Sequence, residues 1–417
     1  GNMEQSMEVL FGNSIPKDKI KLIKSKIKKK INVITLMPEV IEKYPWGGHL
    51  GIQLLEKVIP VINKSRSTLI FTNTRAQAEI WYQRILEEEA SLAGQIAMHH
   101  GSISREIRDW VEDALHAEKL KAVVCTSSLD LGVDFRPVET IIQIGSPKGI
   151  ARYIQRAGRS GHQPGAESTI YFVPTHSLEI IESSALRQAI KENHIEDRTP
   201  FFRSFDVLIQ YLVTLAVSEG FHEKEIFEEV KSTFSFESIS RAEWEWVLKF
   251  IVHGGESLQE YNEYRKVEQN QDGLLKVNDR GIAMKHRLSI GTIVSEPAIR
   301  VCYISGKFIG TVEEYFISRL NPGDVFWFSG RNLEFIQMKG VEALVKLSKK
   351  KTGRVPSWQG GRMPLSSQLS DMLRIKVQES ATNKSKEVEL QGIIPLIEKQ
   401  KEASIVPKQN QFLIEYF

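Results

Sequence analysis

At 417 residues, 41% hydrophobic and 26% charged, the chain has the size and make-up of a folded protein of two or three domains, each with its own core. Its 55 Lys and Arg against 52 Asp and Glu, a net charge of +3, permit nucleic-acid binding through a local basic groove without arguing for it. Two distant cysteines, Cys125 and Cys302, lack metal-ligand or disulfide spacing, and no apolar run approaches the roughly 20 residues of a membrane span; a reduced, soluble, cytoplasmic protein with neither metal site nor membrane contact is expected.

Residues 1–35 hold a lysine-dense stretch, Lys17 to Lys30, with Ile20, Leu22, Ile23 and Ile27 interleaved, which reads as a solvated edge or connector. Over residues 36–186 strand and helix patterns alternate, as in a parallel sheet covered by helices. Ser67 to Arg75 (S-T-L-I-F-T-N-T-R) is a strand that closes in Thr72, Asn73, Thr74 and Arg75. Ala76 to Ala90 carries Ile80, Trp81 and Ile85 at helical spacing. Ala97 to Ser102 (A-M-H-H-G-S) is a strand end turning through Gly101 and Ser102. The strand Lys121 to Cys125 runs into T-S-S-L-D-L-G-V-D-F, where Thr126 and Ser127 can hydrogen-bond phosphate oxygens, Gly132 leaves room, and Asp134 is an acceptor suited to ribose hydroxyls.

After a strand at Thr140 to Ile144 comes Y-I-Q-R-A-G-R-S-G-H, Tyr153 to His162. Its Arg156 and Arg159, three apart, share a helix face beside Gln155, and a guanidinium so held can neutralise charge building on a transferring phosphoryl group. An isolated R-x-x-R is more often a solvated basic helix start; three strand-to-polar-loop units upstream of it are far more specific.

Residues 187–290 change character. Phe205 to Ser218, Glu223 to Phe234 and Arg241 to His253 read as helices, and Tyr264 to Val267 with Leu274 to Val277 as a hairpin about Asp272-Gly273, which together make a winged helix. Trp244, Trp246 and Phe250 give the third helix the look of a core helix rather than a base reader. Residues 291–417 are expected to be strand-rich, and within them Arg354 to Ser366 (R-V-P-S-W-Q-G-G-R-M-P-L-S) sets Trp358 between two arginines, where it could stack on an unpaired base or pin its own loop.

No G-x-x-x-x-G-K-[ST] phosphate loop occurs, nor any Asp-Glu dipeptide for a D-E-x-H motif. The chain thus has arginines to offer a nucleotide without the elements that would hold one.

In order and spacing these segments resemble motifs IV, IVa, V and VI of the second RecA-like lobe of superfamily 2 helicases. With Gln155 first and His162 last, and H-Q-P-G-A-E-S-T-I-Y-F-V-P-T-H following, they are similar to the Lhr group. T-S-S-L-D-L-G-V-D-F-R-P-V-E-T and I-W-Y-Q-R look most like the bacterial ligase-associated DEXH-box DNA helicases. The resemblance implies a connector (1–35) from an absent first lobe, a second RecA-like α/β lobe (36–186), a winged-helix domain (187–290) and a partial strand-rich Lhr-type domain (291–417) of a longer enzyme.

It further implies that ATP with Mg2+, held mainly by the first lobe of the same protein, would meet Arg159, Arg156 and Gln155, with Gly132 and Asp134 beside the nucleotide. Thr72, Asn73, Arg75, Gly101, Ser102, Thr126, Ser127 and Trp358 would line single-stranded DNA or DNA with a 3′ overhang. The expected activity is 3′ to 5′ translocation in DNA repair, absent from this chain alone. The family name implies a functional association with an ATP-dependent DNA ligase and a phosphoesterase. His162 replaces the arginine that ends the motif in DEAD-box relatives, and a neutral imidazole cannot replace a guanidinium. An RNA helicase of the Ski-like type and a non-enzymatic DNA-binding platform are the rival readings.

Overall fold

The computed structural model describes residues 2–12, 15–24, 30–38, 51–130, 138–161, 167–197, 199–254, 266–288, 290, 298–350, 353–356, 364–382 and 385–416. Contacts divide the chain into a smaller unit, residues 1–26 with 197–295, and a larger one, residues 27–196 with 296–417. The expected sites Gly132, Asp134, His162 and Trp358 lie outside the described residues.

The chain opens in the smaller unit with α1 (Met3–Phe11). The larger unit then runs β1 (Ile31–Thr35), α2 (Leu55–Lys64), β2 (Thr68–Phe71), α3 (Arg75–Glu88), β3 (Ile96–His99), α4 (Arg105–His116), β4 (Ala122–Cys125), β5 (Thr140–Ile144), α5 (Ile150–Ala157), β6 (Ser168–Val173) and α6 (Ser177–Glu192). Among the described residues the strands form a parallel sheet in the order β1-β6-β5-β2-β4-β3. Every residue of β2, β3, β4 and β5 is buried, which is why these strands are mostly apolar, with Thr68, His99, Thr140 and Gln143 as their polar positions. Successive side chains serve opposite faces. Leu69, Phe71, Val123 and Cys125 join one core with α4, α5 and α6, while Ile70 and Val124 join another with Val58, Trp81 and Ile85 of α2 and α3.

The smaller unit continues with α7 (Phe205–Val217), β7 (Phe221–His222), α8 (Glu223–Ser232), α9 (Arg241–His253), β8 (Glu268–Gln269), β9 (Leu274–Lys276) and α10 (Arg280–Leu288). Its strands pair antiparallel in the order β7-β9-β8. Three helices and a hairpin make the expected winged helix, with the first hairpin strand at Glu268–Gln269 rather than Tyr264 to Val267, of which 264 and 265 are outside the described residues. The hairpin turn is held by Asn270, whose side chain accepts from the Asp272 and Leu274 amides, and by Gly273 at φ +80°. One expectation for α9 fails. Trp244, Val247 and Ile251 form its buried face, but Trp246 and Phe250 stack on each other at 5.6 Å on the outer one, because they lie two and six positions from Trp244.

The larger unit resumes with β10 (Ala298–Tyr303), β11 (Phe308–Glu313), α11 (Glu314–Ile317), β12 (Val325–Phe328), β13 (Arg331–Lys339) and β14 (Glu342–Leu347). These strands form a second sheet, order β11-β10-β14-β13-β12, in which only β10 and β14 run parallel among the described pairs. It is stitched to the loop after β3 by main-chain bonds, from the Thr311 amide to Ser102 O at 2.8 Å and from the Ser104 amide to Ile309 O at 3.1 Å. Gly310 allows that approach, since a Cβ there would lie 2.2 Å from Ser102 O.

The strand-rich expectation holds to Leu347 and then gives way to helices α12 (Ser367–Ala381), α13 (Val388–Gly392) and α14 (Ile394–Ala403). Leu369 and Met372 of α12 enter the same core as Ile150 and Tyr153 of α5. Arg187 of α6 pairs with Glu387 and Glu389, and Lys376 with Glu379 and Glu387, which fixes these helices against the lobe. No helix among the described residues is long and apolar enough to cross a membrane.

Candidate nucleotide and strand interface

Parallel pairing of β2, β4 and β3 brings the loops that follow them to one sheet edge. Thr72, Asn73, Arg75, Gly101, Ser102, Thr126 and Ser127 therefore gather there, at the carboxyl ends of the strands where open α/β sheets bind ligands. Arg75, Gly101 and Ser127 are exposed on that edge. Arg75 donates to the Ser102 hydroxyl at 2.9 Å, and the Asn73 side-chain amide donates to Ser146 O at 2.7 Å, so these loops brace one another.

Thr72, expected against a strand phosphate, is fully buried; its amide donates to Cys125 O at 2.8 Å, and its hydroxyl lies within reach of Thr74 O and Cys125 O. Ser102 and Thr126, 2% and 8% exposed, are likewise mostly enclosed, which leaves the exposed Arg75, Gly101 and Ser127 as the surface a strand could touch.

The two arginines of α5 and its C-terminal turn differ sharply. Arg156 is 1% exposed; its Nε and Nη2 donate to the two Asp130 carboxylate oxygens at 2.8 and 3.2 Å, and Nη1 donates to Gln143 Oε1 at 2.6 Å. Its guanidinium also lies 4.8 Å from the Phe71 ring centroid. With its donors committed to a bidentate carboxylate pair inside the lobe, Arg156 braces the lobe in this structure and, unlike its expected role as a second finger, presents no donor at the surface. Arg159 is half-buried, and its Nε and Nη2 donate to the Asp130 carbonyl at 3.2 and 2.7 Å. Gln155 is exposed. Gly161, at φ +61°, turns the chain immediately beyond, where a Cβ would meet Glu167 O at 2.8 Å.

Sequence reading passed over Asp130, which anchors both arginines from within T-S-S-L-D-L-G. Its signal in the sequence is a carboxylate one turn beyond the strand end, four residues before Asp134. It also passed over His99, whose ring bridges the Ser128 hydroxyl at 2.7 Å and Glu112 at 3.0 Å. Burial, with Arg108 and His100 adding to it, pushes His99 down to about 4, so at neutral pH a neutral imidazole ties the loop after β4 to α4.

Beneath the loop after β5 lie two buried carboxyls. Glu179 accepts from the amides of Ser146 at 2.8 Å and Thr175 at 2.6 Å, and the Ser146 hydroxyl donates to Glu182. Burial, reinforced by Glu179, raises Glu182 to about 8 against the opposing pull of Ser146 and Lys148. A carboxyl whose folded value lies above its unfolded one favours the folded state while protonated, and that contribution is lost as pH rises through about 8. Thermal melts of wild type and Glu182→Gln at pH 6 and pH 9 should show a smaller drop for the variant, by about a few degrees; equal drops would refute the assignment.

Residues 51–163 match the helicase conserved C-terminal domain, and residues 188–355 the winged helix domain of the large helicase-related protein. The chain is 31% identical over 339 residues to an ATP-dependent helicase Lhr-Core of Sulfolobus acidocaldarius, covering 80% of this chain and 38% of that protein. It is 28% identical over 403 residues to the ATP-dependent helicase Lhr-Core protein 2 of Thermococcus barophilus, covering 93% of this chain and 46% of that one. The structure of Mycobacterium smegmatis helicase Lhr bound to ssDNA and AMP-PNP shares the fold, with a TM-score of 0.65 at 22% identity over 92% of this chain and 47% of that one. The chain thus spans less than half the length of these relatives.

Proposed function

The chain joins a helicase C-terminal lobe to the Lhr-type winged helix, the combination of the Lhr-group superfamily 2 helicases, and from that premise we propose that it forms the second half of an ATP-driven, 3′ to 5′ single-stranded DNA translocase acting in repair. The observation that carries the reading is the division of labour around Asp130: its carboxylate locks Arg156 inside, while Arg159 and Gln155 sit at a reachable surface of the same helix end.

A half-buried guanidinium at the end of a helix is a donor set that suits a terminal phosphate, so Arg159 fits ATP seated on a preceding lobe of the same protein, with Gln155 beside it. The family resemblance assigns Mg2+ to the triphosphate and the preceding lobe. When bound, the nucleotide supplies the terminal charge that Arg159 recognises and loses on hydrolysis. Arg159 then holds the lobe closed only in the triphosphate state. Arg75, the Gly101 backbone and Ser127 grip strand phosphates, and each closure shifts that grip along the backbone; such contacts read strand structure, not sequence.

The test is ATP turnover by the whole protein with single-stranded DNA or RNA. Stimulation by DNA is expected, and this chain by itself should show none. Equal or greater stimulation by RNA would favour the Ski-like reading, since that choice turns on 2′-hydroxyl contacts. Turnover by this chain alone would overturn the reading.

A further inference from the structure

The helix that presents Gln155 and Arg159 is not capped by its own sequence. Gly149, at its N-terminus, offers no side chain, and Lys148 before it sits at φ +66°, a left-handed conformation unfavourable to a long side chain. The cap comes from Glu196, beyond the end of α6. Its carboxylate accepts the Ile150 amide and, at 2.7 Å, the Ala151 amide, so both first-turn donors and the positive end of α5 meet one charge. Gly149 is required for this, because a Cβ there would lie 2.9 Å from Glu196 Oε1.

The same carboxylate has a third partner far along the chain. Ser366 donates its hydroxyl to Glu196 Oε1 at 2.8 Å, and its amide to Lys148 O at 2.9 Å. Ser366 is also the N-cap of α12, accepting from the Leu369 amide at 3.2 Å. It is therefore the residue at which the chain, after leaving the second sheet, returns to the lobe. Burial would raise the Glu196 carboxyl, but the Ser366 hydroxyl and the Ala151 and Ile150 amides outweigh it and hold it below the usual carboxylate range. The shared core of Leu369 and Met372 with Ile150, Tyr153 and Ala157 keeps α12 and α5 in packing contact behind this polar link.

We propose that Glu196 is a positioning residue that couples the return from the second sheet, at Ser366, to the arginine-bearing helix α5. A strand held by the C-terminal half thereby sets where Gln155 and Arg159 stand. Glu196 touches neither nucleotide nor strand; it acts through the first turn of α5. This rests on the function proposed above.

The experiment uses the whole enzyme and compares wild type with Ser366→Ala, Ser366→Asp and Ser366→Thr. Alanine removes both the link and the α12 cap. Aspartate keeps the cap but sets a second carboxylate against Glu196, and threonine keeps both. Basal ATP turnover should be unchanged in all three. For alanine and aspartate the strand-stimulated kcat should fall roughly ten-fold, the factor for losing one hydrogen bond to a charged group, while the strand concentration for half-stimulation stays put. Threonine should restore it. Hydrogen exchange at Ile150 and Ala151 should quicken in the alanine and aspartate variants.

A stimulated wild type with equally stimulated alanine and aspartate variants overturns the coupling alone, whatever the exchange rates. Unchanged exchange at Ile150 and Ala151 overturns it as well. A wild type indifferent to every strand overturns the function proposed above and takes the coupling with it.

Discussion

Replacing Arg156 with alanine is expected to destabilise the larger unit by about 3–5 kcal/mol, the usual result of removing one partner from a buried ion pair. Among the described residues the Asp130 carboxylate, 7% exposed, would keep only Arg152 as a cationic partner, with its Nε 3.9 Å away, and Gln143 Oε1 would lose its donor at 2.6 Å. Denaturant unfolding followed by hydrogen exchange in β5 measures the loss. Lysine should recover little, because it keeps the charge but cannot span both carboxylate oxygens. Exchanging both partners for apolar residues, Arg156→Met with Asp130→Leu, should recover much of it, since no charge is then left stranded. An Arg156→Ala protein of wild-type stability would mean that the pair is not the brace its geometry describes.

Arg159→Ala should do the opposite. Its Nε and Nη2 donate to a backbone carbonyl rather than to a buried carboxylate, so its removal should cost far less stability, about 1 kcal/mol per neutral-acceptor bond. In the whole enzyme, by contrast, ATP turnover should drop roughly a thousand-fold or more, as when an arginine finger is withdrawn. Most of the drop should be in kcat, because the contact matters chiefly as charge builds on the transferring group. Turnover within a few-fold of wild type would remove Arg159 from the reaction and the central claim about this surface with it.

The contrast between these neighbours shows where sequence legibility ends. A spacing of three says that Arg156 and Arg159 share a helix face. It cannot say that Asp130, 26 positions earlier, lies under one of them, because that pairing is made by the fold. The strands were easy to read for a physical reason: a parallel sheet covered on both sides buries both faces of its strands, so Ile96 to Met98 and Ala122 to Cys125 are apolar throughout, with Thr140 and Gln143 of β5 as buried polar exceptions. The loops after them were read as ligand-facing from their polar residues, and the edge they share is real; but polarity alone could not separate Thr72, spent on Cys125, from the exposed Arg75.

Farther along, Trp244 and Trp246 show the same limit. Two aromatics two positions apart cannot both face the core of a helix, and the register was decided by Val247 and Ile251. The helices from Ser367 to Ala403 were missed because they pack on α6 through mixed contacts, with Lys376 and Ser380 buried beside Leu369 and Met372. A buried lysine disguises an apolar stripe, and its pairing with Glu387 is visible only in three dimensions.

The seam between Ser102–Ser104 and Ile309–Thr311 is written in peptide groups. Such a fastening is blind to side-chain identity, so substitutions along it should leave the join between the two sheets intact. The exception is Gly310, where a single added methyl would prise the joint open.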